Sequence, residues 1–249
     1  MAGLIGISKK KIRALKEKSG QKRMIARAIS NGMIQLYFDE KDRVRLYYNG
    51  NELTEQGGFI TLLLSEGIWR DSSSGSRPEI QKISSDRMRI VSTSSKGPLS
   101  YIWSIKISPE GTIAWGVDIE VKESIRIDTI ATRIFLSNSY GGWISPLHRG
   151  KFPSSFDTRW QPMDFPKDKC NFIGCVSSKQ EYPSLIFKIS QGREPSFNIS
   201  NTDAHLSSRV LELQFEGEKE MYAPGTYPYV RAVIQLYPDK KVLEDMFTA

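Results

Sequence analysis

The sequence is poor in the two residue types that most often bind transition metals and take part in catalysis. It contains two histidines, His148 and His205, and two cysteines, Cys170 and Cys175. Because no second Cys or His pair accompanies the cysteines, their spacing is not that of a zinc site. We therefore expect no metal or cofactor. We also expect free thiols, since no secretory signal precedes the domain.

Long apolar runs are missing as well. The longest, residues 59–64, falls far short of the ~20 residues that a transmembrane helix needs. The apolar start, residues 1–7, precedes a lysine cluster instead of following it, which is the wrong order for a signal peptide. Nucleotide-binding, zinc-protease and nucleophile-elbow motifs are also absent. The sequence thus predicts a soluble, cytoplasmic chain without a transmembrane segment, unless it is a fragment of a larger protein.

Positive charge is concentrated at the N-terminus. Residues 1–29 hold nine basic residues and one acidic residue, whereas the other 220 residues hold 26 basic and 27 acidic ones. The formal net charge of +7 therefore belongs to this segment, which argues against a nucleic-acid partner for the whole chain. Apolar residues at helical spacing predict a short basic helical arm over residues 1–30. The arm either leads to a preceding domain or partner protein, or contacts an anionic surface.

From residue 31 to residue 249 the pattern is typical of β-structure. Two apolar stretches, residues 33–38 and 43–48, flank a four-residue polar loop and predict a hairpin. Apolar side chains then alternate with polar ones over residues 101–107, 113–121 and 125–135, as in an antiparallel meander. We predict at least twelve strands in one all-β domain, a large antiparallel two-sheet sandwich.

The order of these features resembles the galactose-mutarotase-like supersandwich superfamily, whose members process or bind carbohydrates. The resemblance covers roughly residues 31–238 and contains no diagnostic motif. It implies a concave sheet that faces a sugar, and it implies no particular reaction. Aldose epimerases of this superfamily use two histidines, and the contexts of His148 and His205 differ from theirs. The resemblance rests on Trp103, the turn Ser108-Pro109-Glu110-Gly111, the strand over residues 130–136, the loop Tyr140-Gly141-Gly142-Trp143, the strand over residues 209–213 and Gly225-Thr226-Tyr227.

Residues 138–169 have no sustained period and form the best candidate binding region, together with an earlier loop around Trp69. Aromatic rings stack on the apolar faces of sugars, while Arg, His and Asp bond to hydroxyl or acid groups. The simpler interpretation is that the tryptophans seal the ends of the sandwich. The candidate substrate-binding residues are Trp69, Arg70, Arg133, Trp143, His148, Arg149, Asp157, Arg159 and Trp160.

Three functional hypotheses follow. The first is a carbohydrate-associated module that binds a glycan or supports a catalytic partner domain. The second is an enzyme of the same fold, an epimerase, polysaccharide lyase or glycoside hydrolase, that uses residues 143–160 with Arg133 and His148. The third is an interaction or scaffold protein whose basic arm binds anions. The sequence selects no catalytic pair among its 28 acidic residues.

Overall fold

Alternating apolar and polar residues form antiparallel strands along almost the whole domain. A computed structural model describes residues 27–39, 43–73, 78–95, 97–165, 170–191, 194–218, 220–239 and 243. Within these ranges no helix is both long enough and apolar enough to cross a membrane. The described part of the chain is nearly all β, as the sequence predicts.

Nineteen strands occur among the described residues. In chain order they are β1 (Ala28–Ser30), β2 (Ile34–Phe38), β3 (Val44–Tyr48), β4 (Asn51–Glu52), β5 (Thr54–Ser65), β6 (Ile68–Asp71), β7 (Glu79–Lys82), β8 (Arg87–Thr93), β9 (Leu99–Ile107), β10 (Thr112–Val121), β11 (Thr129–Leu136), β12 (Tyr140–Ile144), β13 (Arg149–Lys151), β14 (Gln161–Pro162), β15 (Phe172–Ser177), β16 (Ser184–Gln191), β17 (Ser196–Asn201), β18 (Arg209–Glu216) and β19 (Gly225–Tyr237).

The strands form two antiparallel sheets that pack face to face. Sheet I has ten described strands in the order β1-β2-β3-β5-β11-β18-β17-β14, with β4 paired to β3 and β6 paired to β5. Sheet II has nine, in the order β13-β12-β15-β16-β19-β10-β9-β8-β7. The fold class is therefore confirmed as a large two-sheet antiparallel sandwich.

The inner faces of the two sheets share one hydrophobic core. At its centre Trp115 of sheet II is completely buried. Its ring lies 4.9 Å from the ring of Phe59, which belongs to sheet I. Trp103 and Phe187 of sheet II contact the same indole, with ring centroids 5.1 and 6.1 Å away. This aromatic cluster connects the two sheets, so each strand has an inner face fixed by the core and an outer face available for function.

Three segments differ from what the sequence predicts. The predicted three-strand meander stops after β9 and β10, because β11 pairs with β5 and β18 in sheet I instead of with β10. Residues 28–30 were assigned to the helical arm, but they form β1 and pair with β2. Ile29 is buried in the core there, so tertiary packing overrides the helical spacing. Residues 1–26, the rest of the predicted arm, lie outside the described residues. The stretch 138–169 contains three short strands, β12, β13 and β14, each of at most five residues and thus too short to show a period.

The predicted hairpin is confirmed, since β2 and β3 pair in register from Ile34 with Tyr48 to Phe38 with Val44. Both cysteines are free thiols, as expected. Cys175 points into the core, and burial raises the pKa of its thiol far above the ordinary value. Cys170 is half-buried and its thiol donates to the carbonyl of Phe172.

Candidate functional site

A row of polar side chains crosses the outer face of sheet I at its centre. On β11, Thr132 and Ile134 point into the core, so the residue between them, Arg133, points outward. Across the sheet Arg133 lies directly opposite Glu212 of β18, and Glu212 lies opposite Asn198 of β17. The register of three neighbouring strands therefore brings a cation, an acid and an amide together.

These three side chains bond to one another. The Nε of Arg133 donates to Glu212 Oε2 in an ion pair, and Asn198 Nδ2 donates to Glu212 Oε1 at 2.9 Å. Glu212 is only 7% exposed, so its carboxylate is largely removed from water and both of its oxygens are satisfied by protein donors. The two terminal amino groups of Arg133 make no hydrogen bond within the described residues. They remain available to a ligand.

Trp160 lies beside this row. The guanidinium carbon of Arg133 is 5.2 Å from the centroid of the Trp160 ring, within the range of a cation–π interaction. The ring of Phe135, on the same strand as Arg133, meets Trp160 edge-on at 6.0 Å. Trp160 is still 38% exposed. One edge of the indole is thus held by the sheet while part of its surface faces solvent.

The segment before Trp160 is anchored by a buried arginine. Arg209 donates from Nε to the carbonyl of Tyr140 at 3.1 Å and from Nη1 to Asn201 Oδ1 at 2.7 Å. Its guanidinium carbon lies 4.8 Å from the ring of Phe152 and 4.5 Å from the ring of Phe156. Burial lowers the pKa of Arg209. The connection from sheet II to sheet I is therefore fixed before it reaches β14.

A second polar cluster lies on the same face, on strands β3 to β5. Arg45 Nε contacts Glu52 Oε1 at 2.6 Å, and the hydroxyl of Tyr47 donates to Glu52 Oε2 at 3.2 Å. Burial, followed by the charge of Glu52, raises the pKa of Glu55, whereas a hydrogen bond from Ser137 and the charge of Arg45 oppose this rise. The outer face of sheet I thus combines paired charges with a carboxyl group whose pKa is raised.

Three of the nine residues that the sequence singled out share this face. Besides Arg133 and Trp160 they include Trp69, which lies on β6 directly opposite Leu64 of β5. Leu63 points into the core, so Leu64 and its partner Trp69 point outward. Trp69 is 47% exposed. Both exposed tryptophans of the described chain therefore belong to one face of one sheet.

Two of the nine are interior residues. Arg70 points inward, donates from Nη1 to the carbonyl of Ser65 at 3.2 Å, and its own carbonyl accepts from the hydroxyl of Tyr101 at 2.9 Å. Trp143 is 8% exposed and its ring packs 5.5 Å from the ring of Phe165. Both residues contribute to the packing of the sandwich, in line with the simpler interpretation of the tryptophans.

The other four lie apart from the row. His148 and Arg149 are exposed at the edge of sheet II, where β13 begins. Among the described residues no side-chain hydrogen bond or ion pair of His148 is present, so no carboxylate orients its ring. Asp157 and Arg159 are exposed on the connection that leads to Trp160. The described residues contain no group of three or more His, Cys, Asp or Glu side chains arranged to hold a metal ion.

Glu212 and Asn198 are site residues that the sequence did not reveal. Glu212 stands in the strand Leu211-Glu212-Leu213, where an acid between two leucines indicates an ordinary outward-facing position. Its significance comes from pairing with Arg133, which is 79 residues away in the chain. No local pattern contains this information.

Comparison with known proteins finds likeness in fold and not in sequence. No protein-family model matches the chain, and no curated protein matches it either. An α-N-acetylgalactosaminidase from Bifidobacterium bifidum matches with a TM-score of 0.61 and 14% identity, over 88% of this chain and 38% of that one. A GalM/aldose epimerase homologue from C. elegans matches with a TM-score of 0.56 and 8% identity, over 83% of this chain and 96% of that one.

A heparan sulfate lyase from Pedobacter heparinus matches in the same way, with a TM-score of 0.52 and 11% identity, over 82% of this chain and 33% of that one. The chain thus spans about a third of the lengths of the two larger enzymes. The described structure has the galactose-mutarotase-like supersandwich fold, as the order of sequence features predicts. At this level of identity the likeness shows the fold alone.

Proposed function

We propose that this protein is a carbohydrate-associated sandwich module that binds a glycan on the outer face of sheet I. The observation that carries the proposal is the presence of Trp69, Trp160 and the row Arg133, Glu212 and Asn198 on this one face. The same fold in three proteins named as sugar-acting enzymes or their homologues supports it.

The exposed tryptophans supply the apolar part of sugar recognition. One face of a pyranose ring presents C–H groups, and a flat aromatic ring covers them with little loss of side-chain entropy. Trp160 is held by Phe135 and Arg133, so its orientation is set before a ligand arrives. A preorganised aromatic surface costs less ordering on binding, which favours affinity.

The row beside Trp160 supplies hydrogen bonds. Arg133 keeps its two terminal amino groups for a ligand, because only its Nε is used by Glu212. The planar fork of donors suits sugar hydroxyl oxygens and carboxylates alike. Glu212 and Asn198 fix the side chain of Arg133 in place. They act on the ligand mainly by positioning that arginine.

A glycan array followed by titration calorimetry tests the proposal. We expect the wild-type protein to retain at least one glycan, and Trp160→Ala to weaken its binding about 30-fold, which corresponds to about 2 kcal/mol. Arg133→Lys keeps the charge but loses the fork, so it should weaken binding as well. His148→Ala, on the edge of sheet II, serves as the control and should bind as the wild type does. An array that retains nothing would refute the proposal, as would equal binding by Trp160→Ala and wild type.

An enzyme of the same fold is the second candidate. One observation favours it: burial and the neighbouring Glu52 raise the pKa of Glu55 on the same outer face, and a raised pKa moves a carboxyl group toward the role of a general acid. If the protein turns over the glycan that it binds, Glu55→Gln should abolish turnover and leave binding intact. The cytoplasmic location, the link to a partner domain and the anion-binding role of the arm remain predictions from the sequence.

A further inference from the structure

We infer that the ligand of this face is an extended oligosaccharide chain, with Trp160 and Trp69 at two separate subsites. The inference rests on the proposed function and adds the class of glycan and the role of Trp69. It follows from the register of β6, β5 and β11, which sets the distance between Trp69 and Arg133, the residue that Trp160 contacts.

Three successive rows connect the two tryptophans. In the first row Ile60 of β5 lies opposite Arg133, which Trp160 contacts. In the third row Trp69 lies opposite Leu64, which in turn lies opposite Thr129. Along β11, Thr129 and Arg133 are four residues apart, and β6 and β11 flank β5 on opposite sides.

These positions give a distance. Four residues at ~3.3 Å each span about 13 Å along the strand, and two strand spacings of ~4.8 Å span about 10 Å across it. The Cα atoms of Trp69 and Arg133 are therefore separated by about 16 Å. Trp160 contacts Phe135 as well as Arg133, and Phe135 lies two residues beyond Arg133 as counted from Thr129, so Trp160 lies on the side of Arg133 away from Trp69. We therefore expect one pyranose ring to be too small to contact both tryptophans, whereas a chain of several units can contact both.

The surface between the two tryptophans suits such a chain. Its β5 side carries half-buried apolar residues, Ile60, Leu62 and Leu64. Its β18 side carries Gln214 and Glu216, whose side chains bond to each other at 3.3 Å. A strip that is apolar along one side and hydrogen-bonding along the other matches the two kinds of surface that a sugar chain presents.

The second tryptophan is otherwise hard to explain. Trp69 is 47% exposed, because it points outward while the neighbouring Arg70 of the same strand points inward. Exposed apolar surface of this size is tolerated singly, but here it lies on the same sheet face as Trp160. Two exposed tryptophans on one face, with an apolar strip between them, suit an extended ligand.

The dependence of affinity on chain length tests the inference. The array identifies the type of glycan that the protein binds. Purified oligosaccharides of this type, one to six units long, are then titrated into wild type, Trp69→Ala and Trp160→Ala. We expect wild-type affinity to rise at least tenfold between one unit and about four. Trp69→Ala should remove most of this rise and leave the affinity for one unit unchanged, whereas Trp160→Ala should weaken binding at every length.

The control is Ile68→Ala, which removes an exposed apolar side chain at the neighbouring position of β6 and should not change affinity at any length. Equal wild-type affinity for one unit and for six would refute the extended ligand while leaving the glycan site intact. Unchanged binding of the longest chain by Trp69→Ala would do the same. Failure of every glycan to bind would instead refute the proposed function, and this inference with it.

Discussion

The two outer faces of the sandwich are made by the same alternation of residues but differ in chemistry. On sheet I the charged groups at the centre occur as pairs of opposite sign, Arg133 with Glu212 and Arg45 with Glu52. On sheet II the pair of Asp118 with Arg231 is more exposed, and two cations, Arg87 and Lys106, lie directly opposite each other. Paired charges hold side chains in fixed positions, whereas like charges keep them apart in solvent. Sheet I is thus the face whose ion pairs are less exposed to solvent.

The two outer faces also differ in their pockets. Sheet II carries a pocket of about 380 Å³, whose apolar lining includes Ile144, Val176 and Leu243 and whose charged lining includes Arg149 and Lys151. Trp143 lines this pocket too, together with Arg149, but it is only 8% exposed, so the pocket offers mainly aliphatic surface. Sheet I offers the two exposed tryptophans and the hydrogen-bonding row. If a glycan binds sheet I as we propose, the side chains that face a surface are a better guide to a sugar site than the volume of a pocket.

The largest expected effect is the difference in stability between replacing a buried tryptophan and replacing an exposed one. Trp143→Ala, at the edge of sheet II, should lower the free energy of unfolding by about 3–5 kcal/mol, because it leaves a cavity against Phe165. Trp69→Ala, on the outer face of sheet I, should change it by less than about 0.5 kcal/mol. Urea unfolding followed by circular dichroism measures both. A small loss for Trp143→Ala would show that its indole is available to a ligand and would move the candidate site to sheet II.

A smaller difference is expected between the ion pairs of the two faces. Glu212→Ala leaves Arg133 and Asn198 without their shared acceptor in a largely buried position, which should cost about 2–3 kcal/mol. Asp118→Ala removes the partner of Arg231 on sheet II, where the side chains are 24% and 40% exposed, and should cost less than about 1 kcal/mol.

The same urea titrations give the two losses. Raising the salt concentration should reduce the effect of Asp118→Ala more than that of Glu212→Ala, because solvent screens exposed charges more strongly. Equal losses with equal salt dependence would contradict the view that sheet I holds its charges in fixed positions.

The contrast between the two faces shows which features of the candidate site could be predicted from the sequence. The period-two pattern over residues 125–135 grouped Arg133 with Ile127 and Phe135, whereas in the structure β11 turns Ile130, Ile134 and Leu136 toward the core and Arg133 outward. Which of Trp69 and Arg70 points outward depends on the register of β6 with β5, and Trp160 reaches the face only because the short strand β14 pairs with β17. These pairings join distant parts of the chain. The fold class could therefore be predicted from local periods, whereas the site could be predicted only in part.

The smallest expected effect concerns two glutamates that respond to pH in opposite directions. Burial raises the pKa of Glu55 on sheet I, so the folded protein binds a proton more tightly than the unfolded chain does. Stability should therefore fall as pH rises from the ordinary value of a glutamate through the raised pKa of Glu55. Glu55→Gln removes this loss, so its stability relative to wild type should increase between pH 3 and pH 7.

Glu110, in the turn between β9 and β10 of sheet II, provides the opposite case. A hydrogen bond from Ser108 lowers the pKa of its carboxyl group, so its stabilising contribution is present above the ordinary value and is lost as pH falls through the lowered pKa. Glu110→Gln should therefore be less stable than wild type at pH 7 and equal to it in strong acid. Urea midpoints of both variants at pH 3, 5 and 7 test the pair. The outcome that would contradict this is a stability difference from wild type that changes in the same direction with pH for both variants. Burial would then not set the pKa of Glu55, and the candidate general acid on sheet I would lose its physical basis.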